Sequence, residues 1–202
     1  MKSSRKILPH TVEFLDVSSI TPSDKLYEPK LIVDCKLSIG ECPLWDEQKQ
    51  TLFWIGCNKP AKLFILQIKD GKLITVPLPR EVGSIALCKS GTRLLLALDS
   101  TFAYLYLDDN CFSLEEVTSS YRRDSKEGSR LNDGRVDRVG RFVVGGLNFI
   151  FGGQKLYSVT YEKEGELKVK TLPVPDMKCA NSICFTQDGR FMYHADTPTH
   201  KI

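Results

Sequence analysis

Turn glycines recur in this sequence at a fixed spacing. Gly91, Gly140 and Gly189 are 49 residues apart, and each is followed by a short apolar run, at 94–98, 142–144 and 191–193. A weaker copy of the same outline passes a polar turn at 49–50 and continues into an apolar run at 52–55. Because self-similarity at a fixed period is typical of repeat architectures, the spacing predicts a chain built from successive copies of one structural unit.

Each period holds several β-rich runs separated by turns. In the first period, apolar runs at 63–68 and 73–76 flank Asp70-Gly71, a strong hairpin signal because Gly tolerates a positive φ. In the third period, residues 167–172 alternate between apolar and polar side chains, as a half-exposed strand does. The sequence therefore predicts about four short strands in each period and no capped helix.

Four strands in each period of about 45 to 50 residues are typical of a β-propeller blade. A β-sandwich also contains short strands, but it gives no reason for the constant spacing of the glycines. We therefore predict an all-β fold, with residues 31–202 forming an incomplete propeller of about three and a half four-stranded blades, preceded by an N-terminal extension at 1–30 of unknown structure. Propellers typically have about 4 to 8 blades, so we expect either the N-terminal part of a longer protein or an open strand edge.

Oxygen-bearing side chains recur eight residues before the turn in three of the four copies. The four positions are Glu41, Gly83, Asn132 and Asn181. The first strand of each propeller blade lines the central channel, so we expect these positions to form a ring around the axis. Carboxylate and amide oxygens suit a hard cation such as Ca²⁺ or Mg²⁺. The alternative is that these side chains only satisfy backbone groups in turns, as Asn often does.

Composition excludes several classes of protein. The net charge of +3 is too small to indicate nucleic-acid binding, and no apolar stretch is long enough to span a bilayer. Pro9 follows Ile7-Leu8 directly, so the basic N-terminus lacks the apolar core of a signal peptide. Seven cysteines without Cys-x-x-Cys spacing favour buried thiols in a reducing compartment. We therefore expect a cytoplasmic protein that binds neither nucleic acid nor membrane; the oligomeric state stays open.

Three motifs resemble those of a known family. They are Gly-Glu-Cys-Pro-Leu-Trp at 40–45, Arg-Leu-Asn-Asp-Gly-Arg-Val-Asp at 130–137, and Ala-Asn-Ser-Ile at 180–183 followed by Asp-Gly-Arg at 188–190 and Tyr-His-Ala-Asp at 193–196. In their order and approximate spacing they resemble the regucalcin, gluconolactonase and luciferin-regenerating enzyme family, from about Leu37 onward. The resemblance implies a propeller that is six-bladed when complete, one divalent metal in the channel, and hydrolysis of sugar lactones.

The resemblance also implies roles for individual residues. Glu41 and Asn181 match metal ligands, and Arg130 and Asn132 match substrate contacts, with Asn132 near enough to reach the metal through water. The implied cofactor is one divalent metal, Ca²⁺ in the first place, with Zn²⁺, Mn²⁺ and Mg²⁺ as alternatives. The implied partner is a small sugar lactone, whose carbonyl the metal polarises while a carboxylate acts as general base.

The sequence departs from the family pattern in three respects. The third ligand of the family, an Asp that also serves as general base, is expected beyond Ile202. The acidic residue expected in the loop after Gly145-Gly146 is replaced by Asn148-Phe149-Ile150, and Cys42 stands where a small residue is usual. We therefore expect a truncated lactonase that is inactive alone. The alternatives are a calcium-binding regulatory propeller without turnover and a propeller that serves only for interaction.

Overall fold

The computed structural model describes residues 5–17, 31–108, 111–117, 119, 121, 127–163 and 166–202. These residues form strands and one short 3₁₀ turn at Thr197–Thr199. The strands are β1 (Lys6–Leu8), β2 (Thr11–Phe14), β3 (Gly40–Asp46), β4 (Thr51–Gly56), β5 (Lys62–Gln67), β6 (Lys72–Pro77), β7 (Val82–Leu87), β8 (Arg93–Leu98), β9 (Thr101–Asp108), β10 (Cys111–Val117), β11 (Arg130–Val136), β12 (Phe142–Leu147), β13 (Leu156–Lys163), β14 (Glu166–Thr171), β15 (Ala180–Phe185) and β16 (Met192–Asp196).

The strands assemble into four antiparallel sheets, each of which is one blade. The strand orders are β2-β6-β5-β4-β3 in blade 1, β1-β10-β9-β8-β7 in blade 2, β11-β12-β13-β14 in blade 3 and β15-β16 in blade 4. The first strands of the four meanders, β3, β7, β11 and β15, lie next to one another in that order. The prediction of an all-β, partial β-propeller is confirmed.

The turn that marks each repeat has the same backbone geometry in every blade. Gly91, Gly140 and Gly189 have φ values of +65°, +85° and +68°. In blade 1 the corresponding turn contains Gln50 at φ +48°. The first copy looks weak in the sequence because a non-glycine residue takes the left-handed conformation there.

Residues near the N-terminus add a strand to each of two blades. β2 pairs with β6 at the outer edge of blade 1, and β1 pairs with β10 at the outer edge of blade 2. Leu8 is buried in the core, and the His10 ring contacts Phe112 edge-on at 5.0 Å. The segment thus joins the two blades at their rims, which the sequence did not predict. The division of the chain at residue 30 stays a prediction.

Apolar layers fill the spaces between neighbouring blades. Phe53, Ile55, Leu94 and Leu96 are among the residues buried between blades 1 and 2. A second layer between blades 2 and 3 contains Phe102, and a third between blades 3 and 4 is smaller. Burial of these side chains is the main stabilising contribution to the fold.

In the innermost strands of blades 1, 2 and 3, one residue forms a hydrogen bond to the next blade. This residue directly follows the ring position of the same strand. The bonds run from Ile85 N to Cys42 Sγ (3.4 Å), from Ser84 Oγ to the Asn132 carbonyl (2.8 Å) and from Ile183 N to Asp133 Oδ2 (2.9 Å). The inner strands are therefore held in register by hydrogen bonds as well as by apolar contact.

The cysteines of the chain differ in burial. The cysteines are all free. The expected burial holds for Cys42, Cys57 and Cys179 but is wrong for the others: Cys35, Cys88 and Cys111 are half-buried, and Cys184 is exposed in the two-stranded blade 4. Within the described part of the chain, no helix is long and apolar enough to cross a membrane.

Gly83 is the ring position of blade 2, and its lack of a side chain has a steric cause. A Cβ atom at this position would lie 2.4 Å from the Leu131 carbonyl oxygen and 2.7 Å from the Asn132 Cα. We expect Gly83→Ala to lower the free energy of unfolding by about 1–3 kcal/mol, because the obstructing atoms are backbone. Urea denaturation measures the change.

The matched control is Gly40→Ala. A Cβ there would meet only Leu37 Cδ1 at 3.5 Å, an ordinary contact. If Gly83→Ala is no less stable than Gly40→Ala, the close approach of β11 to β7 is wrong.

Candidate functional site

An open cavity lies where the innermost strands of the blades begin. Its volume is about 180 Å³, small for a ligand site. The residues that line it come from all four blades: Ile39, Glu41, Cys57, Gly83, Arg130, Asn132, Asp133, Leu147, Phe149, Cys179, Asn181 and Thr197. The four predicted site residues, Glu41, Arg130, Asn132 and Asn181, all line this cavity.

The strand pairing is irregular at the ring position of every blade. The register shifts between Glu41 and Leu44, between Val82 and Ser84, between Leu131 and Gly134, and between Asn181 and Cys184. In blades 1 and 4 the residue next to the ring position, Cys42 or Ser182, has φ of +52° or +55°. Since a bulge turns a side chain out of the regular alternation, it explains how side chains of inner strands reach the cavity.

Arg130 and Asn132 form one hydrogen-bonded unit on β11. Arg130 Nη1 donates to Asn132 Oδ1 at 2.8 Å and to the Leu131 carbonyl at 3.0 Å. Its Nε lies 3.7 Å from Glu81 Oε2, and only 15% of the side chain is exposed. Asn132 Nδ2 in turn donates to the Ala180 carbonyl at 2.9 Å. Arg130 is therefore not an ordinary surface arginine, and Asn132 is fixed in orientation between blades 3 and 4.

Two side chains with oxygen atoms that suit a cation come from the first and the last blade: Glu41 from blade 1 and Asn181 from blade 4. Glu41 is exposed at the cavity, and within the described residues its carboxylate has no hydrogen-bond or ion-pair partner. The Asn181 side chain accepts from Ser182 N at 2.9 Å and donates to Thr197 Oγ1 at 3.2 Å. A carbonyl oxygen has two lone pairs, so Asn181 Oδ1 retains capacity for a further contact.

Asp133 is a second carboxylate at the cavity, and each of its oxygens accepts one backbone amide. Its Oδ1 accepts from Gly134 N at 2.8 Å, and its Oδ2 accepts from Ile183 N at 2.9 Å. The described residues contain no group of three or more His, Cys, Asp and Glu side chains placed to hold a metal. The donors therefore fit a hard cation in type, with one unpaired carboxylate and amide oxygens, but as a partial set.

Sequence reasoning missed the two thiols at the cavity, Cys57 and Cys179. Cys179 Sγ lies 3.6 Å from Asn132 Nδ2. Burial raises the pKa of both thiols. Without a bound metal ion, both thiols therefore stay protonated near neutral pH. Their isolated positions in the sequence carry no spacing signal; only the fold brings them to the cavity.

A family model describes most of this chain. The model of the SMP-30/gluconolactonase/LRE-like region matches residues 39–202. The chain belongs to this family. The resemblance expected from the sequence is confirmed, and the matched region begins at the residue where the cavity lining begins.

Curated relatives of this SMP-30/gluconolactonase/LRE-like chain include proteins named lactonases. It is 34% identical over 176 residues to a 6-deoxy-6-sulfogluconolactonase of Pseudomonas putida, covering 86% of this chain and 56% of the relative. It is 28% identical to an L-arabinolactonase of Azospirillum brasilense, over 85% of this chain and 55% of the relative. A regucalcin of Xenopus laevis is 29% identical, over 84% and 57% of the two chains. The chain spans about half the length of the curated relatives it matches.

A solved structure supports the fold. A luciferin-regenerating enzyme superposes with a TM-score of 0.67 at 23% identity, covering 79% of this chain and 53% of that one. At this identity the likeness concerns the fold alone. The roles of the four cavity residues therefore depend on the geometry given above.

Proposed function

We propose that the chain carries the metal- and substrate-binding half of a metal-dependent hydrolase of sugar lactones. The observation that carries the proposal is the convergence of Glu41, Arg130, Asn132 and Asn181 from blades 1, 3 and 4 on one cavity. The membership of a family with relatives named lactonases supports the reaction class.

Glu41 and Asn181 are the proposed protein ligands of one divalent cation. Ca²⁺ fits the oxygen donors best, and Mg²⁺, Mn²⁺ and Zn²⁺ are the alternatives. Such a cation, when bound, polarises a carbonyl and lowers the pKa of a bound water. We assign the third ligand and the general base to the Asp that the family resemblance implies and not to Asp133, because each oxygen of Asp133 already accepts one backbone amide that fixes it in the fold.

Arg130 and Asn132 are the proposed substrate contacts. The guanidinium is held by Asn132 and Glu81, so it presents a fixed, planar set of donors at the cavity. Hydroxyl groups of a sugar lactone, and the carboxylate that forms when the ring opens, are both acceptors for such donors. This chain thereby orients the lactone and stabilises the charge that develops on hydrolysis.

The second candidate is a calcium-binding regulatory propeller without turnover. Among the described residues, the cavity has two carboxylates, Glu41 and Asp133, and Asp133 accepts backbone amides. This shortage of free carboxylates favours a protein without turnover. Two measurements on the chain together with any residues encoded downstream of it separate the candidates: cation affinity, and acid release from D-glucono-1,5-lactone with and without added cation. Hydrolysis that rises with cation supports the lactonase, and tight cation binding without hydrolysis supports the regulatory protein.

Replacement of Arg130 should separate substrate binding from metal binding. We expect Arg130→Ala to weaken binding of a sugar lactone by about tenfold or more, because a charged hydrogen-bond donor is lost. Affinity for Ca²⁺ should stay within about threefold of that of the unmodified chain, since guanidinium is not a ligand. Calorimetry with each ligand on one preparation measures both values.

Arg135→Ala is the matched control. Arg135 lies on the same strand, but its side chain is outside the cavity and contacts the Pro43 carbonyl at 3.4 Å. An equal loss of lactone and cation affinity in Arg130→Ala would mean that Arg130 only holds the channel together.

A further inference from the structure

The loop between β12 and β13 presents three consecutive apolar side chains. Phe149, Ile150 and Phe151 have 54%, 71% and 57% of their surface exposed. Of the three, Phe149 lines the cavity that contains the predicted site. A contiguous exposed apolar patch beside a polar cavity is typical of a ligand or partner contact.

Asn148 fixes this loop at its start. The residue is 1% exposed, and its Nδ2 donates to the Glu127 carbonyl at 3.0 Å and to Ser129 Oγ at 2.8 Å. Its Oδ1 accepts from Ile150 N at 3.0 Å and Phe151 N at 2.9 Å. Phe149 is therefore held at the cavity by a buried and fully bonded anchor.

The cavity lining combines charged and apolar side chains. Glu41 and Arg130 are charged, and Ile39, Leu147 and Phe149 are apolar. A ligand composed only of hydroxyl groups would leave Phe149 without a matching surface and would lose hydration against it. A ligand that carries a polar ring and an apolar group matches both kinds of lining residue.

We propose that the preferred substrate is a lactone whose ring carries an apolar substituent, alkyl or aryl, and that Phe149 contacts this substituent. The proposal depends on the proposed function, because Arg130 and the cation site would bind the lactone ring itself. Phe149 is here a specificity residue and takes no part in the chemistry. The cavity, with a volume of about 180 Å³, accommodates a small ring. The substituent then lies outward along the exposed face of Phe149.

Two lactones that differ only in the substituent test the proposal. δ-Decalactone carries a pentyl group that δ-valerolactone lacks, and ligand-observed NMR with the full 202-residue chain in the presence of Ca²⁺ gives the dissociation constant of each. We expect the pentyl lactone to bind about tenfold more tightly or better, since several methylene groups leave water. In Phe149→Ala the two affinities should differ by no more than about twofold.

Phe151→Ala is the matched control, because Phe151 belongs to the same loop and is equally exposed but does not line the cavity. Its preference for the pentyl lactone should equal that of the unmodified chain. The proposal is overturned if the two lactones bind equally, if the preference survives in Phe149→Ala, if Phe151→Ala loses it as well, or if neither lactone binds. None of these results bears on the cation site, which the titration of Glu41→Gln tests without a lactone.

Discussion

The Glu41→Gln variant should bind Ca²⁺ about a hundredfold more weakly than the unmodified chain. Within the described residues, Glu41 is the cavity carboxylate that no backbone amide engages, and its replacement by a neutral amide of the same shape removes a full charge from the site. At a partly solvated position a unit charge about 4 Å from a cation is worth a few kcal/mol, which corresponds to this loss. Isothermal titration calorimetry at fixed ionic strength measures both affinities.

Glu47→Gln provides the control for charge alone. Glu47 lies in the turn after β3, where its carboxylate accepts from Trp45 Nε1 at 2.7 Å, and it does not line the cavity. This variant loses the same charge and should keep the affinity of the unmodified chain. Equal affinities in Glu41→Gln and Glu47→Gln would remove Glu41 from the site.

The 202-residue chain alone should show no measurable hydrolysis of a sugar lactone and only weak Ca²⁺ binding. The side-chain oxygens of Asn132 and Asn181 are neutral, and neutral oxygens bind a dication less strongly than carboxylates do. Each oxygen of Asp133 already accepts one backbone amide, so we assign neither the third charged ligand nor the base to this residue. Without a base, turnover should suffer more than binding. Phe191, directly before β16, and Tyr193, on β16, are 59% and 50% exposed and should also promote aggregation.

A direct comparison checks this expectation. The chain ending at Ile202 and the same chain followed by the residues encoded downstream of it are assayed together for hydrolysis of D-glucono-1,5-lactone with Ca²⁺, Zn²⁺ or Mn²⁺. Metal-dependent hydrolysis is expected in the longer protein alone. Comparable rates in both proteins would show that the base and third ligand lie within the 202 residues.

The sequence predicts the repeat and the ring because both depend on local signals. A turn that needs a positive φ selects Gly at 91, 140 and 189, and the shared outline of the copies aligns Glu41, Asn132 and Asn181. The strands β1 and β2 give no such signal: they are short, and their pairing partners are about 60 to 110 residues away. The pairing of these edge strands therefore depends on where the fold places β6 and β10, which a local sequence pattern does not indicate.

The rest of the site depends on contacts between blades. The occupation of Asp133 by Ile183 N, and the approach of Cys179 to Asn132, join residues about 50 positions apart. The sequence predicts the loss of an acidic residue at Asn148-Phe149-Ile150, but the anchoring of this loop by Ser129 becomes visible only in the structure. Position in a motif thus indicates which residues meet, whereas hydrogen bonding decides which of them remain available to a ligand.

Paramagnetic broadening by Mn²⁺ tests the central claim, that the cavity holds a divalent cation between blades 1 and 4. In the isotope-labelled chain, substoichiometric Mn²⁺ should broaden the side-chain amide signals of Asn132 and Asn181 first. The side-chain amides of Gln48 and Gln67, which lie outside the cavity, should stay sharp. Excess Ca²⁺ should reverse the broadening if the two ions share the site. Broadening that begins at Gln48 or Gln67, or that affects all four side chains equally, would contradict the proposed metal site.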